Sequence, residues 1–181
     1  MPDFPIVGAP PASPTLICTA LALEGLGVEL AAASVSSGSS NNPTANKAYY
    51  TPFRLATPMT VVQLFVENGA GASAGNIDMG IYTEGGIRIV SSGAIAQSGI
   101  SVLQLLDITD TVLLPGRYYL ALVSNNATST FRTTTNAALA LQQGFGLLQE
   151  ASAYPLPATA TFAKATTAFL PHIGVAAAVT L

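Results

Sequence analysis

The chain has 181 residues and a formal net charge of −3, and only 8% of its residues are charged, against about 25% in ordinary soluble proteins. This length suits one domain with a substantial core, and six Lys and Arg residues form no basic stripe, which disfavours nucleic-acid binding. The shortage of charge indicates either a hydroxyl-rich surface or a surface covered by neighbouring subunits, and the second option favours a homo-oligomeric assembly protein.

Composition also disfavours a membrane span, a secretory signal and a metal or cofactor site. Glu24 and Glu29 interrupt the longest apolar segment, so no run reaches the roughly 18 residues that a spanning helix needs. Asp3 stands where a secretory signal would carry basic residues. Cys18 and His172 are the single residues of their types, which leaves little material for metal ligands, and we expect Cys18 to be a small buried apolar residue.

Residues 1–46 are predicted to form an arm and linker, and residues 47–181 a folded domain. Prolines between Met1 and Pro14 remove backbone donors, which excludes a regular ladder or helix there. Leu16 to Leu30 allows two short strands or a weak helix broken by its glycines, and strands are favoured. Ser34 to Asn46 is a polar tract typical of an exposed loop or linker. We expect contacts with other subunits to order this arm, because it cannot form its own core.

Two strands are predicted at the start of the domain. Ala48 to Leu55 contains Pro52, which indicates an edge position or a bulge because proline cannot donate to a ladder. Thr60 to Glu67 alternates between apolar and polar residues. Its predicted apolar face consists of Val62, Leu64 and Val66.

The clearest β pattern lies between Asn76 and Asn125. Alternation places Ile77, Met79 and Ile81 on one face of a half-buried strand. The residues Glu84-Gly85-Gly86 then supply a turn, so Ile77 to Val90 is predicted to be a hairpin in which Ile87 and Ile89 resume the apolar face.

A second strand pair follows the hairpin. Val102 to Ile108 is apolar on nearly both faces, which predicts a central strand, and Thr109 to Gly116 is predicted to be a loop. Pro115-Gly116 sets up a turn into a strand from Arg117 to Ser124, where Tyr and Val suit a pleated surface.

The C-terminal part has weaker patterns. A short strand is predicted about Phe131, and Ala137 to Gln143 is left open between strand, helix and loop. Tyr154 to Pro157 is predicted to be an extended connector, and Ala168 to Thr180 an apolar stretch that pairs at a sheet edge. Roughly eight short strands separated by turns predict an all-β fold, an antiparallel, jelly-roll-like β-sandwich with an extended N-terminal arm.

Four of these segments resemble a β-sandwich module of tailed-bacteriophage virion structural proteins. They are AYYTPFRL at 48–55, GIYTEGGIRIVSSG at 80–93, LLPGRYYLALVSNN at 113–126 and LLQEASAYPLPATATF at 147–162. These motifs are turns and strands without a catalytic signature. The resemblance therefore implies a virion setting, with capsid decoration or a head- or tail-fibre role as the tasks that it allows.

Gly71 to Gly75 matches the G-x-S-x-G nucleophile elbow around Ser73, and Asp107 or Asp110 followed by His172 matches the residue order of α/β-hydrolases. The elbow needs a strand-to-helix turn, whereas a strand is predicted to follow this motif, so catalysis is not expected. Asp107 and Asp110 are predicted to cap a turn at a strand end rather than to bind calcium. His172 is predicted to be a packed or surface residue.

The tyrosines allow two interpretations, a glycan-stacking platform or packing within the sheets. They are Tyr49, Tyr50, Tyr82, Tyr118, Tyr119 and Tyr154. Because the chain has no Trp and strand tyrosines commonly bury their rings, packing is favoured. Asn126-Ala127-Thr128 matches a glycosylation site, which a bacteriophage context would leave unmodified.

The sequence therefore predicts a non-enzymatic virion protein with no catalytic, cofactor or metal site. Its predicted role is a capsid decoration or cement protein on the capsid surface, in contact with other virion proteins, above all the major capsid protein, and with copies of itself. The alternative is a tail-fibre or head-fibre module that binds a host receptor or a glycan.

Overall fold

The computed structural model describes residues 16–18, 39–71, 73–133 and 139–177, and it is built from antiparallel β-sheets packed face to face. The elements are β1 (Leu16–Cys18), β2 (Ser39–Asn41), β3 (Ala48–Leu55), β4 (Met59–Glu67), β5 (Asn76–Thr83), β6 (Arg88–Ser91), β7 (Ile95–Ala96), β8 (Leu103–Leu113), β9 (Gly116–Ser124), β10 (Phe131–Thr133), α1 (Leu139–Gly144), β11 (Leu148–Glu150), β12 (Ala163–Lys164) and β13 (Ile173–Ala177). This confirms the predicted all-β antiparallel sandwich.

Two sheets and a ribbon organise the strands. The smaller sheet has the order β1-β13-β4-β8, and the larger sheet has the order β12-β11-β3-β9-β5-β6, with β7 also paired to β5. β10 and β2 form a separate two-stranded ribbon. The sequence placed Ser39–Asn41 in a linker, but β10 supplies a ladder partner that turns this polar tract into a strand.

The main core lies between the two sheets. Ile77, Met79 and Ile81 of β5 belong to it, as their alternation predicted, and they pack with side chains such as Leu64 of β4 and Val175 of β13. Full burial of one such side chain stabilises the fold by about 1.5–3 kcal/mol. This core holds the two sheets together.

Two predicted faces are wrong in part because the ladders are irregular, although Leu64 and Val66 lie in the main core as predicted. The register of β4 shifts between Val61 and Gln63, so Val61 rather than Val62 enters the core. The β5–β6 hairpin is confirmed, but a register shift after Ile81 places Val90 against the core. The isoleucines that the sequence assigned to that face are exposed: Ile87 is 53% and Ile89 is 37% exposed.

A second apolar cluster covers the outer face of the larger sheet. Residues 151–162, which we call the strap, follow β11 and place Ala153 and Leu156 against Tyr50, Tyr82 and Val123. β5 is therefore buried on both faces, whereas its alternation predicted a strand with one face exposed. The reason is tertiary, because the covering segment lies far along the chain.

Hydrogen bonds to buried groups anchor the strap. Leu156 donates its backbone N–H to Asp78 Oδ2 at 3.0 Å, and Tyr82 Oη donates to the carbonyl oxygen of Pro157 at 2.6 Å. The guanidinium of Arg88 donates to the carbonyl oxygen of Leu156. These bonds attach the strap to β5 and β6.

β8 differs from its predicted form in length and in position. It continues to Leu113 where the sequence predicted a loop, because the ladder with β4 resumes at Thr111 after the register shift. It is also an edge strand of the smaller sheet rather than a central one. β8 carries apolar residues on both faces, but only its inward face is covered. Outward residues such as Leu105 are exposed.

The strand partners of β13 and β3 determine which parts of these strands lie at a sheet edge. β13 was predicted to lie at a sheet edge, yet it lies between β4 and β1 because Leu16–Cys18 covers it. β11 pairs only with the Ala48–Tyr50 part of β3, so Pro52 lies beyond that pairing and opposite Tyr119 of β9. The missing donor of Pro52 is therefore tolerated at a local edge.

Leu156→Ala should lower the free energy of unfolding by about 2–4 kcal/mol, because it truncates the buried leucine by which the strap packs on the larger sheet. Leu114→Ala is the matched control: Leu114 is 63% exposed, so its effect should stay within about 0.5 kcal/mol. Urea denaturation followed by circular dichroism measures both. Equal effects would show that the side chain of Leu156 stabilises the protein no more than an exposed leucine does.

Alkaline pH should destabilise the protein through the tyrosines under the strap. Burial raises the pKa of Tyr50 and Tyr82 above the ordinary value of 10.0, and for Tyr50 a hydrogen bond to Glu150 adds to the effect. The unfolded chain loses these protons near pH 10 while the folded chain keeps them, so the stabilisation present below about pH 10 falls as pH rises further.

Tyr50→Phe removes one of these groups, so its stability should fall less steeply than that of the wild type above about pH 10. Urea midpoints across this pH range give the two slopes. The comparison uses slopes because Tyr50→Phe also loses its hydrogen bond to Glu150 Oε2 at every pH. Identical slopes would contradict the assignment.

Candidate contact surface

Ser73 of the G-x-S-x-G match and His172, the histidine of the hydrolase residue order, have separate partners in the structure. Ser73 Oγ donates a hydrogen bond to the carbonyl oxygen of Gly99, and His172 Nδ1 lies 2.9 Å from Glu67 Oε2. Residues 73–75 lead directly into β5, which is a strand, so the strand-to-helix turn of a nucleophile elbow does not form here. This geometry assigns both side chains structural partners.

A buried ionic corner joins β4, β10 and the start of β13. Glu67 is 7% exposed, and beside its contact with His172 its other carboxylate oxygen lies 4.0 Å from Arg132 Nε. The backbone N–H of Glu67 donates to the carbonyl oxygen of His172 at 3.0 Å, and that of His172 to the carbonyl oxygen of Arg132 at 2.8 Å. Removing one member would leave a poorly compensated buried charge, so these contacts hold β4, β10 and the start of β13 together.

A buried amide network continues from this corner. Gln97 Nε2 donates to Asn68 Oδ1 at 3.0 Å and to the carbonyl oxygen of Thr130 at 2.8 Å. Asn68 Nδ2 donates to Gln104 Oε1 at 3.0 Å, and the same oxygen accepts the Ser98 N–H at 2.9 Å. The amide groups satisfy one another, as buried polar groups must, and they tie the segment before β8 to the end of β4.

Asp107 and Asp110 lie inside β8 and are exposed, so the predicted turn-capping role is wrong. The strand runs through them because the ladder with β4 resumes at Thr111. Within the described ranges, no group of three or more His, Cys, Asp or Glu side chains could hold a metal ion.

The tyrosine rings pack within the protein. Tyr49, Tyr50 and Tyr82 are fully buried, and Tyr118, Tyr119 and Tyr154 are partly buried. Tyr50 meets Tyr82 edge to face with ring centroids 5.3 Å apart, and Phe162 of the strap lies 4.9 Å from Tyr50 and 4.8 Å from Tyr119. These rings serve the cluster under the strap and present no exposed stacking platform.

An open groove lies where the strap meets β6 and β8. Its volume is about 650 Å³, and Asp78, Arg88, Ser91, Thr109 and Pro155 are among its lining residues. Its polar groups have protein partners: Asp78 Oδ1 accepts from Ser91 Oγ at 2.6 Å, and Asp78 Oδ2 accepts the backbone N–H of the strap. The polar groups that line the groove therefore serve to attach the strap to the sheet.

Exposed apolar side chains follow β8 and its two flanks. We call this set the edge surface: Ile100, Val102, Leu105, Val112 and Leu114, which are 56%, 44%, 51%, 65% and 63% exposed. Inward residues of the same strand, such as Leu106 and Leu113, are buried in the main core. The core therefore holds β8 in place while its outer side chains stay in solvent.

Two properties make the edge surface suitable for a protein contact. β8 forms one end of the smaller sheet, so among the described residues one of its edges has no strand partner. The charged residues of β8 are Asp107 and Asp110, both exposed, and lysine, which natural sheets use to protect an edge, does not occur between Leu103 and Leu113. The register shift with β4 interrupts the regularity of the strand, which favours side-chain contact over a long continuous ladder.

Sequence reasoning recognised β8 as apolar but missed the edge surface. The signal was present in the alternating exposed leucines and valines, yet the same pattern is typical of a central strand. The ionic corner was missed as well, because Glu67, Arg132 and His172 are far apart in the chain and meet only through the pairing of distant strands.

Comparisons with protein-family models, with curated proteins and with solved structures find no match for this chain. In the part of the chain that the structure describes, no helix has the length and apolarity required to span a membrane. The geometry of the chain itself must therefore support any assignment of function.

Ser73→Ala should leave the protein without any change in ester or glycoside hydrolysis, because we expect no such activity in the wild type. His172→Ala should also be silent in these assays but should lower the stability by about 1–3 kcal/mol, since Glu67 loses a hydrogen-bonded partner. His172→Gln keeps a donor and should lose less. Chromogenic ester and glycoside substrates and thermal unfolding measure these effects; wild-type hydrolysis that Ser73→Ala abolishes would contradict them.

Proposed function

We propose that this protein is a non-enzymatic structural protein of a bacteriophage virion, a capsid decoration or cement protein that stabilises the particle through contacts between subunits. The observation that carries the proposal is the edge surface, a set of exposed apolar side chains along an edge strand, interrupted by the exposed Asp107 and Asp110. The resemblance of four segments to virion β-sandwich modules supports the same setting.

The energetics of the edge surface suit a broad and permanent contact. Burying apolar area contributes about 25 cal/mol per Å². The exposed carboxylates of Asp107 and Asp110 must remain solvated or gain a basic partner in such a contact, because burying an unpaired charge is costly. Loss of translational and rotational freedom offsets part of this gain, so a stable interface needs about 800 Å² on each partner. A contact along the whole of β8 and its flanks provides a row of anchors for such an area. The partner that we propose is the major capsid protein.

The alternative, a fibre module that binds a receptor or glycan, has less support. A glycan site commonly offers aromatic rings surrounded by free polar groups. Here the tyrosine rings are buried or partly buried, and the polar groups of the groove beside Asp78 hold the strap. Five of the eight large apolar side chains that are exposed among the described residues lie along β8 and its flanks, which favours a protein partner.

Particles that lack this protein should adsorb to their host as well as complete particles do, but they should break at lower temperature or under milder osmotic shock. The reason is that a cement protein adds buried contacts between capsid subunits without taking part in adsorption. Adsorption assays and DNA release on heating measure the two properties. Loss of adsorption with unchanged particle stability would overturn the cement assignment and support the fibre role.

Purified variants locate the contact. Leu105→Lys combined with Val112→Lys places two charges on the edge surface and should prevent re-binding to depleted particles. Ile87→Lys is the matched control, since Ile87 is 53% exposed but lies in the β5–β6 turn. Both variants should keep the wild-type melting temperature, because the substituted side chains are exposed. Equal re-binding by both would show that the edge surface is not the contact.

A further inference from the structure

The strands of the smaller sheet carry acidic side chains but no basic ones. They contain Glu67, Asp107 and Asp110, and none of the six Lys and Arg residues of the chain lies in them. Glu67 is buried and compensated by Arg132 and His172. Asp107 and Asp110 are exposed, and among the described residues neither carboxylate has an ion-pair or hydrogen-bond partner. These two carboxylates are therefore the charges of the sheet that the described part of the chain leaves uncompensated.

A register shift brings both carboxylates to the exposed side of β8. Residues three apart on a regular strand face opposite sides of the sheet, so one of two such side chains would point toward the core. Asp107 pairs with Gln63 and Thr111 with Val61, so β8 advances by four residues where β4 advances by two. The extra residues form a bulge, and bulges re-aim side chains in this way. Asp107 and Asp110 are consequently both exposed.

The two aspartates lie between apolar residues of the edge surface. Leu105 precedes Asp107 by two residues, and Val112 follows Asp110 by two; both apolar side chains are exposed. Three residues of an extended strand span at most about 10 Å. A partner that covers Leu105 and Val112 together therefore covers the carboxylates between them. Because burying an unpaired carboxylate is costly, such a partner needs to supply a counter-charge.

Charge also determines which partners do not fit this surface. A second copy of β8, paired antiparallel about Ile108 and Thr109, would place Asp107 of each copy opposite Asp110 of the other. Directly opposed like charges destabilise a strand pair. An acidic partner would meet the same repulsion, and a wholly apolar partner would bury both carboxylates without compensation. A basic partner surface matches both the charge and the apolar residues.

We propose that the partner surface on β8 is basic, and that its Lys or Arg side chains form ion pairs with Asp107 and Asp110 between apolar contacts at Leu105 and Val112. This assignment rests on the proposed function, in which the partner is the major capsid protein, and it specifies the chemistry that this partner presents. Complementary charges fix the register of an interface and speed association at low salt.

Re-binding of the purified protein to depleted particles tests the counter-charge. Asp107→Asn and Asp110→Asn keep the shape of the side chain and remove its charge, so each should bind about tenfold more weakly than the wild type at low salt. The matched control is Glu84→Gln, which removes one charge from a side chain that is 65% exposed and lies in the larger sheet's β5–β6 turn. It should bind like the wild type. Equal weakening by Glu84→Gln would overturn the proposal, because the effect would then come from net charge.

Salt and charge reversal test the sign of the interaction. Wild-type binding should weaken as the salt concentration rises, and the variant with both Asn substitutions should depend on salt much less. Asp110→Lys should bind more weakly than Asp110→Asn, because it places like charges together. All these variants should keep the wild-type melting temperature, since the carboxylates are exposed. Asn variants that bind as tightly as the wild type, or more tightly, would refute the proposal, because the carboxylates would then only protect the edge strand from association.

The variant that combines Leu105→Lys with Val112→Lys separates this proposal from the function on which it rests. If that variant fails to re-bind while the Asn variants bind like the wild type, the edge surface is the contact and only the basic partner is refuted. If the wild type does not re-bind, or if the double Lys variant re-binds as well as the wild type, the contact itself is refuted and the basic partner with it.

Discussion

The carboxylate of Asp78 is the contact on which the layered packing of the larger sheet depends. It is 1% exposed, and its oxygens accept hydrogen bonds from Ser91 Oγ and from the backbone N–H of Leu156. A buried carboxylate is stable only when such donors surround it, so the strap must stay where it is for the charge to be tolerated. The strap in turn covers Tyr50 and Tyr82. The larger sheet thereby gains a packed outer face that a simple two-layer sandwich would leave in solvent, and its free surface is reduced.

The two edge strands of the smaller sheet, β1 and β8, have different surroundings. The proposed contact surface lies at β8. At one end β1 covers an apolar strand whose side chains fill the core. At the other end β8 keeps its inward residues in the core and exposes the edge surface. An apolar edge without protecting lysines is a liability for a free monomer, and it becomes useful when a partner covers it.

The candidate site could be predicted only in part. The shortage of charge indicated an assembly protein, and Leu105 and Val112 belong to segments whose apolar character is plain in the sequence. Which side of β8 they occupy could not be predicted, because a strand at the edge and a strand in the centre of a sheet can share one apolar pattern. The ionic corner gave no signal at all. Glu67 and His172 are ordinary residues in the sequence, and only the approach of β4 to β13 brings their side chains to 2.9 Å.

By itself the sequence determined the all-β class, the β5–β6 hairpin, strand β9, and the inward face of Ile77, Met79 and Ile81. It could do so because alternation and turn chemistry act over a few neighbouring residues. Tertiary structure decided the second buried face of β5, the edge position of β8 and the pairing of Leu16–Cys18 with β13. Each of these depends on which distant segment covers a strand, and that choice is a competition among long-range contacts whose outcome no local pattern records.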